Sequence, residues 1–331
     1  MKKISSLLFV LVSSIFVLSA QNQSIATLSH DDDIKVFYGI NALKEAHTAA
    51  THGDVITLSS GAFNAIDITK AITLRGAGMM YDSITNSLPT NIAGGFSISI
   101  EEKTEYRLTI EGILSRDEIY VYSLKNANFI KCQFYKISDY TNVGIKANFI
   151  HCYLKEFDFD NEETSINIIN SFLNIDYPVS YLTLTNCIVS TRYLDYLSIC
   201  NIINTIIFDS NSKGTGTIES SNSVCNSLVI TATENDVFKY NNNVTNKQVK
   251  EFSSIFKTAD LNNIKEETLF ELTDEAKTKY LGTDNTEIGI YGGSFPFSQT
   301  PTNIQITKCN IASKSTADGK LSIDIEVKVA E

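Results

Sequence analysis

The chain has 331 residues, 43% of them hydrophobic, and its 38 acidic against 27 basic residues give a formal net charge of −11. That balance argues against nucleic acid and anionic membrane surfaces as partners. Four prolines, no tryptophan and an abundance of Ile, Thr, Phe, Tyr and Asn favour β structure.

Met1-Lys2-Lys3 supplies a short basic region, and Leu7 to Leu18 an apolar run that closes on Leu18-Ser19-Ala20. This is the pattern of an export signal over residues 1–20, too short for a membrane span, so a secreted or cell-surface protein without membrane insertion is expected. No cysteine lies near the junction, which argues against a lipid anchor. Removing the segment deletes Lys2 and Lys3 and no acid, so the exported chain is more acidic still. The rest divides into a solenoid domain with end caps, 21–295, and a β-strand tail, 296–331.

From Asn41 to Ala50 the sequence is Ala-rich, with Leu43, Ala46 and Ala50 on one face, and predicts a short amphipathic helix capped by Asn41. After Gly53, residues 54–58 read as a strand, 59–63 as a turn, and Ile66 to Leu74 as two further short strands. A repeat then sets in, aligned on Lys131-Cys132-Gln133-Phe134, His151-Cys152-Tyr153-Leu154, Asn170-Ser171-Phe172-Leu173, Asn186-Cys187-Ile188-Val189, Asn204-Thr205-Ile206-Ile207 and Asn226-Ser227-Leu228-Val229. The first column is Lys, His or Asn, the second a small Cys, Ser or Thr, and the fourth always apolar. Short β-branched and aromatic runs at this period are strands, and no unit has enough apolar surface to fold alone. Parallel stacking at about 4.8 Å buries the apolar columns of all six, one coil per repeat. The fold class is therefore all-β, a single-stranded parallel β-helix. The N-terminal helix plugs one end.

Between Asn246 and Lys279 the pattern changes: Val249, Phe252, Ile255 and Phe256 recur at helical spacing, which predicts irregular and helical structure covering the last coil. Asn303 to Ile311 and Lys320 to Val329 alternate apolar and polar residues and predict a C-terminal β-hairpin.

The run Ala42-Leu43 through Ala50, then Gly53-Asp54-Val55-Ile56-Thr57-Leu58 and Ile72-Thr73-Leu74-Arg75-Gly76-Ala77-Gly78, resembles the opening of pectin-lyase-like right-handed β-helix proteins. Residues 282–293, from Gly282-Thr283-Asp284 to Tyr291-Gly292-Gly293, with Pro296-Phe297, resemble the closing segment of secreted β-helix proteins from gut Bacteroidetes. The resemblance implies a right-handed solenoid, and parallel crossovers share that hand by analogy.

Candidate sites follow from the columns. Asn tolerates the left-handed conformation of a tight corner, which accounts for the first column. Lys131 and His151 interrupt it on adjacent coils, and either contact an anionic sugar or serve as corners themselves. Cys132 and Cys152 stand one rung apart, within reach of a disulfide. Interchange with Ser and Thr in that column favours free, buried thiols instead.

Glu156, Asp158 and Asp160 alternate with inward phenylalanines. They form either a solvated face or a set of oxygen ligands for Ca2+, a cation the fold itself does not require. Of the tyrosines in the coils, Tyr122, Tyr135 and Tyr153 are the candidates for an exposed sugar-binding platform.

Lyase chemistry needs a base and cations beside a uronate carboxylate, and hydrolysis needs clustered carboxylates. Arg75, Arg107, Arg116 and Arg192 form no cluster in the sequence, and the combined Asn-Thr-Asp, Asp-Asp and Arg-Ile-Lys signatures of β-helix polygalacturonases are not found. The leading expectation is a non-catalytic protein that engages polysaccharide or another surface along the solenoid side. The alternatives are a lyase or glycoside hydrolase with an unrecognised active site, and a structural or adhesin-like spacer.

Overall fold

The computed structural model describes residues 24–83, 87–100, 105–141, 144–160, 162, 164–209, 216–240, 243–257, 270–300, 305–311, 314 and 318–328. The export segment expected at 1–20 lies outside the described residues, as do 258–269 of the stretch after the coils.

The chain winds into a parallel β-solenoid of about nine turns, as the repeat predicted. Successive coils feed two sheets of eleven strands each. The first stacks Asn126–Ile130, Lys146–Ile150, Ser165–Ile169, Leu182–Thr185, Asn201–Ile203 and Ser223–Cys225; the second stacks Gln133–Asp139, Tyr153–Asp158, Phe172–Ile175, Ile188–Thr191, Ile206–Asp209 and Leu228–Ile230. The register sets Ala127 on Ala147 and Phe129 on Phe149, whose rings stack 4.6 Å apart in the interior. The fourth column of the repeat, Phe134, Leu154, Leu173, Val189, Ile207 and Val229, faces the same interior and is fully buried. On the outer side of the first sheet, Asn167 donates to Asn148 and Asn148 to Asn128, each at 2.9 Å, a short amide ladder along the stack.

The first column is the corner between the sheets. Lys131, His151, Asn170, Asn186, Asn204 and Asn226 all have φ between 44° and 55°, and Gly112 fills the equivalent place one coil earlier with φ 65°. The left-handed region costs an ordinary L-residue roughly 1–2 kcal/mol, which explains the preference for Asn and Gly.

The second column satisfies the corner's backbone. Cys132, Cys152 and Cys187 each donate from Sγ to the carbonyl two residues earlier, at 3.3–3.5 Å. Ser171, Thr205 and Ser227 donate from a hydroxyl to the same place, at 2.7–2.9 Å. A thiol and a hydroxyl are interchangeable here because both are small and both donate. Cys132, Cys152, Cys187, Cys200 and Cys225 are free, and burial pushes the Cys187 thiol up to about 12.

At the N-terminal end, Ile25–His30 and Asp33–Tyr38 form an antiparallel hairpin that opens the first sheet. Helix α1, Ala42–Ala49, buries Ala42, Leu43, Ala46 and His47. Asn41 does not cap it through its side chain, contrary to the sequence reading, because its Oδ1 accepts instead from Asn64 Nδ2 at 2.8 Å. Of the two strands expected between Ile66 and Leu74, only Thr73–Arg75 forms, and Ile68 makes a single bridge to Ile98.

The segment after the coils also departs from the reading. Val249 belongs to the strand Lys247–Val249, which pairs with Leu228–Ile230, and among the described residues of this stretch the helical elements are the single turn Phe252–Ser254 and a short helix, Asp274–Lys279. Its apolar spacing arises because Phe252, Ile255 and Phe256 pack on the outside of the second sheet. There, with Phe270, Leu272, Ala276, Ile288 and Ile290, they form a second apolar cluster over Tyr153, Phe172, Ile188, Ile206 and Leu228. Helix α2, Asp274–Lys279, sits within this cover, capped by Thr273 Oγ1, which accepts from Ala276 N at 3.2 Å. The C-terminal hairpin is present as Gln305–Ile311 and Ile323–Lys328. Among the described residues no helix is long and apolar enough to cross a membrane.

Candidate functional site

A strap, residues 281–300, leaves the cover and runs along the corner column from the later coils to the earlier ones. Asn226 Nδ2 donates to Leu281 O at 3.1 Å. Asn204 Oδ1 accepts from Thr283 N at 2.9 Å. Asn170 Nδ2 donates to both Ile290 O and Gly292 O. Gly293, at φ 80°, lies against Asn186 Nδ2 so closely that a Cβ there would collide. His151 Nε2 reaches Phe295 O at 2.9 Å, and Lys131 Nζ reaches Thr300 O at 2.6 Å.

Lys131 and His151 therefore share the task of the Asn ladder. Lys131 is buried, burial lowers its pKa against the opposing charge of Glu111, and its ammonium is committed to the strap. Burial likewise holds His151 below its ordinary value, with the Phe295 carbonyl opposing and Lys131 assisting. Contact between the Lys131 ammonium and a sugar requires the strap to leave, whereas His151 stays partly exposed beside it. Tyr153 is also on the outer face but under the cover, 5% exposed and stacked on Phe172 at 4.6 Å, so it is not part of an exposed platform.

The apolar cluster under the cover ends at the rung of Tyr153, and beyond it the outer face of the second sheet carries a polar stretch, half-buried at Glu118, Lys136, Glu156 and Asp158 and buried at Leu114, Gln133 and Ser138. Two columns define this ledge. Glu118, Lys136 and Glu156 align in one, and Tyr120, Ser138 and Asp158 in the next. Lys136 Nζ lies 3.0 Å from Glu118 Oε1, to which Ser138 Oγ also donates at 2.9 Å. Tyr120, Tyr122 and Tyr140 cluster beside this pair, with ring centroids 5.7–6.4 Å apart, and Tyr122 and Tyr140 are half exposed.

The carboxyl groups of the ledge are pushed in opposite directions. Burial raises Glu118, but hydrogen bonds from Lys136, Ser138 and Tyr120 outweigh it and hold the group below its ordinary value. Burial raises Asp158, Lys136 opposes this, and the nearby charges of Glu118, Asp160 and Asp139 add to the rise. Asp139 is raised by burial against hydrogen bonds from Thr141, and its Oδ2 is buried without a partner. Asp160 Oδ1 accepts from Ser180 at 2.5 Å. Among the described residues no group of three or more His, Cys, Asp or Glu is arranged to hold a metal ion, and Glu156, Asp158 and Asp160 do not make one.

A cleft of about 390 Å³ adjoins the ledge, lined by Tyr81, Arg116, Gln133 and, from the strap, Gln299. Tyr135, on the neighbouring surface, carries Lys155 Nζ 4.4 Å above its ring. Of the residues singled out in the sequence, Asp158 stands in a ledge column and Tyr122 in the tyrosine cluster, while Tyr135 lies under Lys155 on the neighbouring surface. The sequence reading missed Glu118, Lys136 and Tyr140. Lys136 was accessible to it, since it precedes Glu156 by the same twenty residues that separate Cys132 from Cys152. Comparison with family models, with curated proteins and with solved structures finds no match.

Proposed function

We propose that this is an exported β-solenoid protein that binds polysaccharide along the open ledge of its second sheet without cleaving it. The observation that carries the reading is the triad Tyr120, Tyr122 and Tyr140 beside the Lys136–Glu118 pair, on the stretch of sheet that the C-terminal cover leaves open. Half-exposed aromatic faces next to fixed donors and acceptors suit the apolar faces and hydroxyls of sugar rings. Arg116, Gln133 and Gln299 extend the surface with cationic and amide groups. Export is supported by the basic and apolar pattern of residues 1–20, and a place among the secreted solenoids of gut Bacteroidetes by the resemblance of the closing segment.

The second reading is a glycoside hydrolase, and one observation favours it. Glu118 and Asp158 have pKa values pushed apart, as an ionised base and a protonated acid require. Both readings are tested by incubating the protein with uronate-containing and neutral glycans, with and without Ca2+, while recording affinity, new reducing ends and unsaturated product. Binding without product, weakened by Tyr122→Ala, supports the first. Product that disappears in Asp158→Asn supports the second. No binding to any glycan overturns both and leaves a structural spacer.

A further inference from the structure

The strand Asp33–Tyr38 ends the first sheet and, among the described residues, is paired only with Ile25–His30. Alternation turns Ile34, Val36 and Tyr38 to its outer face, where they are 69%, 44% and 58% exposed. A free sheet edge is ordinarily blunted by charged side chains, proline, a bulge or a covering segment, and here Asp33 and Lys35 charge one face while the other stays apolar. The other end of this sheet is covered: Asn226 N donates to Thr245 Oγ1, and the side chains of Asn243 and Asn246 donate to Val224 O. Asp33–Tyr38 has no such cover among the described residues.

The strand Ile323–Lys328 presents the matching problem. It pairs with Gln305–Ile311 and, among the described residues, with no other strand. Ile323, Ile325 and Val327 share one face and are each at least half exposed. An isolated two-stranded ribbon is marginally stable in water.

We propose that Ile323–Lys328 of one copy adds, antiparallel, to the edge Asp33–Tyr38 of a second copy, joining molecules head to tail. One register aligns the apolar row and sets two pairs of opposite charges together, leaving Asp324 against Phe37. It sets Val327 beside Ile34, Ile325 beside Val36 and Ile323 beside Tyr38 on one face, while on the other Glu326 stands against Lys35 and position 328, a lysine, against Asp33. Because the faces alternate, the nearest registers that keep the apolar rows together are slips of two residues. One slip sets Lys35 against the lysine at 328, which like charge opposes; the other sets Asp33 against Glu326 and Asp324 against Lys35, so its charges cancel and it lacks the two favourable pairs of the first register. Main-chain bonds along the edge supply the affinity, and the charge pattern selects the partner. The two surfaces differ, so the contact is heterologous and builds a ring where the rotation between copies closes and an open chain where it does not.

Sedimentation velocity over a wide concentration range tests this with the protein and two exposed-site variants, Lys35→Glu and Glu326→Lys. The protein is expected to give a series of growing species as concentration rises. Each variant alone should raise the concentration at which assembly begins by on the order of tenfold. An equimolar mixture of the two should recover assembly, because opposite charges then meet at every junction between unlike chains. The proposal is overturned if the protein stays monomeric at all concentrations, as it would with the tail docked on its own chain. It is equally overturned if Glu326→Lys leaves assembly intact, which would mark two edge strands pairing with each other.

Discussion

Lys131 Nζ donates to the carbonyl of Thr300 at 2.6 Å, across 169 positions of sequence. The residue that bends one coil thereby also anchors the end of a segment that has passed over five later corners. Lys131→Ala keeps the unfavourable left-handed backbone and leaves the Thr300 carbonyl without its donor. A loss of roughly 1–2 kcal/mol is expected in urea unfolding. Faster proteolysis within 293–300 would show the end of the strap released from its first corner.

Acid should loosen the N-terminal plug. Burial, assisted by Lys70, holds His47 down at about 4, from an ordinary 6.5, while its Nε2 accepts from Thr69 N at 3.3 Å. Between these two values the unfolded chain binds the proton that the folded one refuses, so stability falls as pH drops from 6.5 towards 4. The loss is at most roughly 3 kcal/mol. Urea midpoints across that range should flatten in His47→Gln relative to the parent protein; an unchanged slope would refute the assignment.

Lys136→Met should release Glu118. With its principal donor gone, burial dominates and the carboxyl titrates at higher pH, which carboxyl-carbon NMR can follow. Glu118 stabilises the fold above its unfolded pKa, and that contribution fades as pH falls through its depressed folded value. Being partly exposed, the pair contributes under about 1 kcal/mol. Loss of glycan binding without loss of stability is therefore the expected phenotype.

The corner cysteines should be exchangeable for serine. Cys152→Ser keeps a small donor facing the Ile150 carbonyl and should cost under about 1.5 kcal/mol, whereas Cys152→Val removes the donor and should cost more. Thiol titration in denaturant without reductant should register both Cys132 and Cys152. A count two short would reveal a bridge between them.

The solenoid was legible because stacked strands repeat their burial: the fourth column of the sequence became the interior without exception. The corner was legible through the backbone preference of Asn. The strap was not, because a corner Asn is already explained by its own φ and nothing local announces a partner more than a hundred residues away. Tyr153 was misjudged for a related reason. Its column continues as Phe172, Ile188, Ile206 and Leu228, and a strand apolar on both faces signals a covered sheet. Glu118 was hidden by the register shift between Phe134 and Lys136, which breaks the simple offset from one coil to the next.

A stack of coils that touch only their neighbours can melt piecemeal from either end, like a zipper. The strap removes that freedom by binding corners from Asn226 to Lys131 in one continuous run. No middle coil can open without loosening a segment shared with the coils above and below it. Unfolding of this region should therefore be a single concerted event, and refolding should wait until the last part of the chain has found the corners of the first.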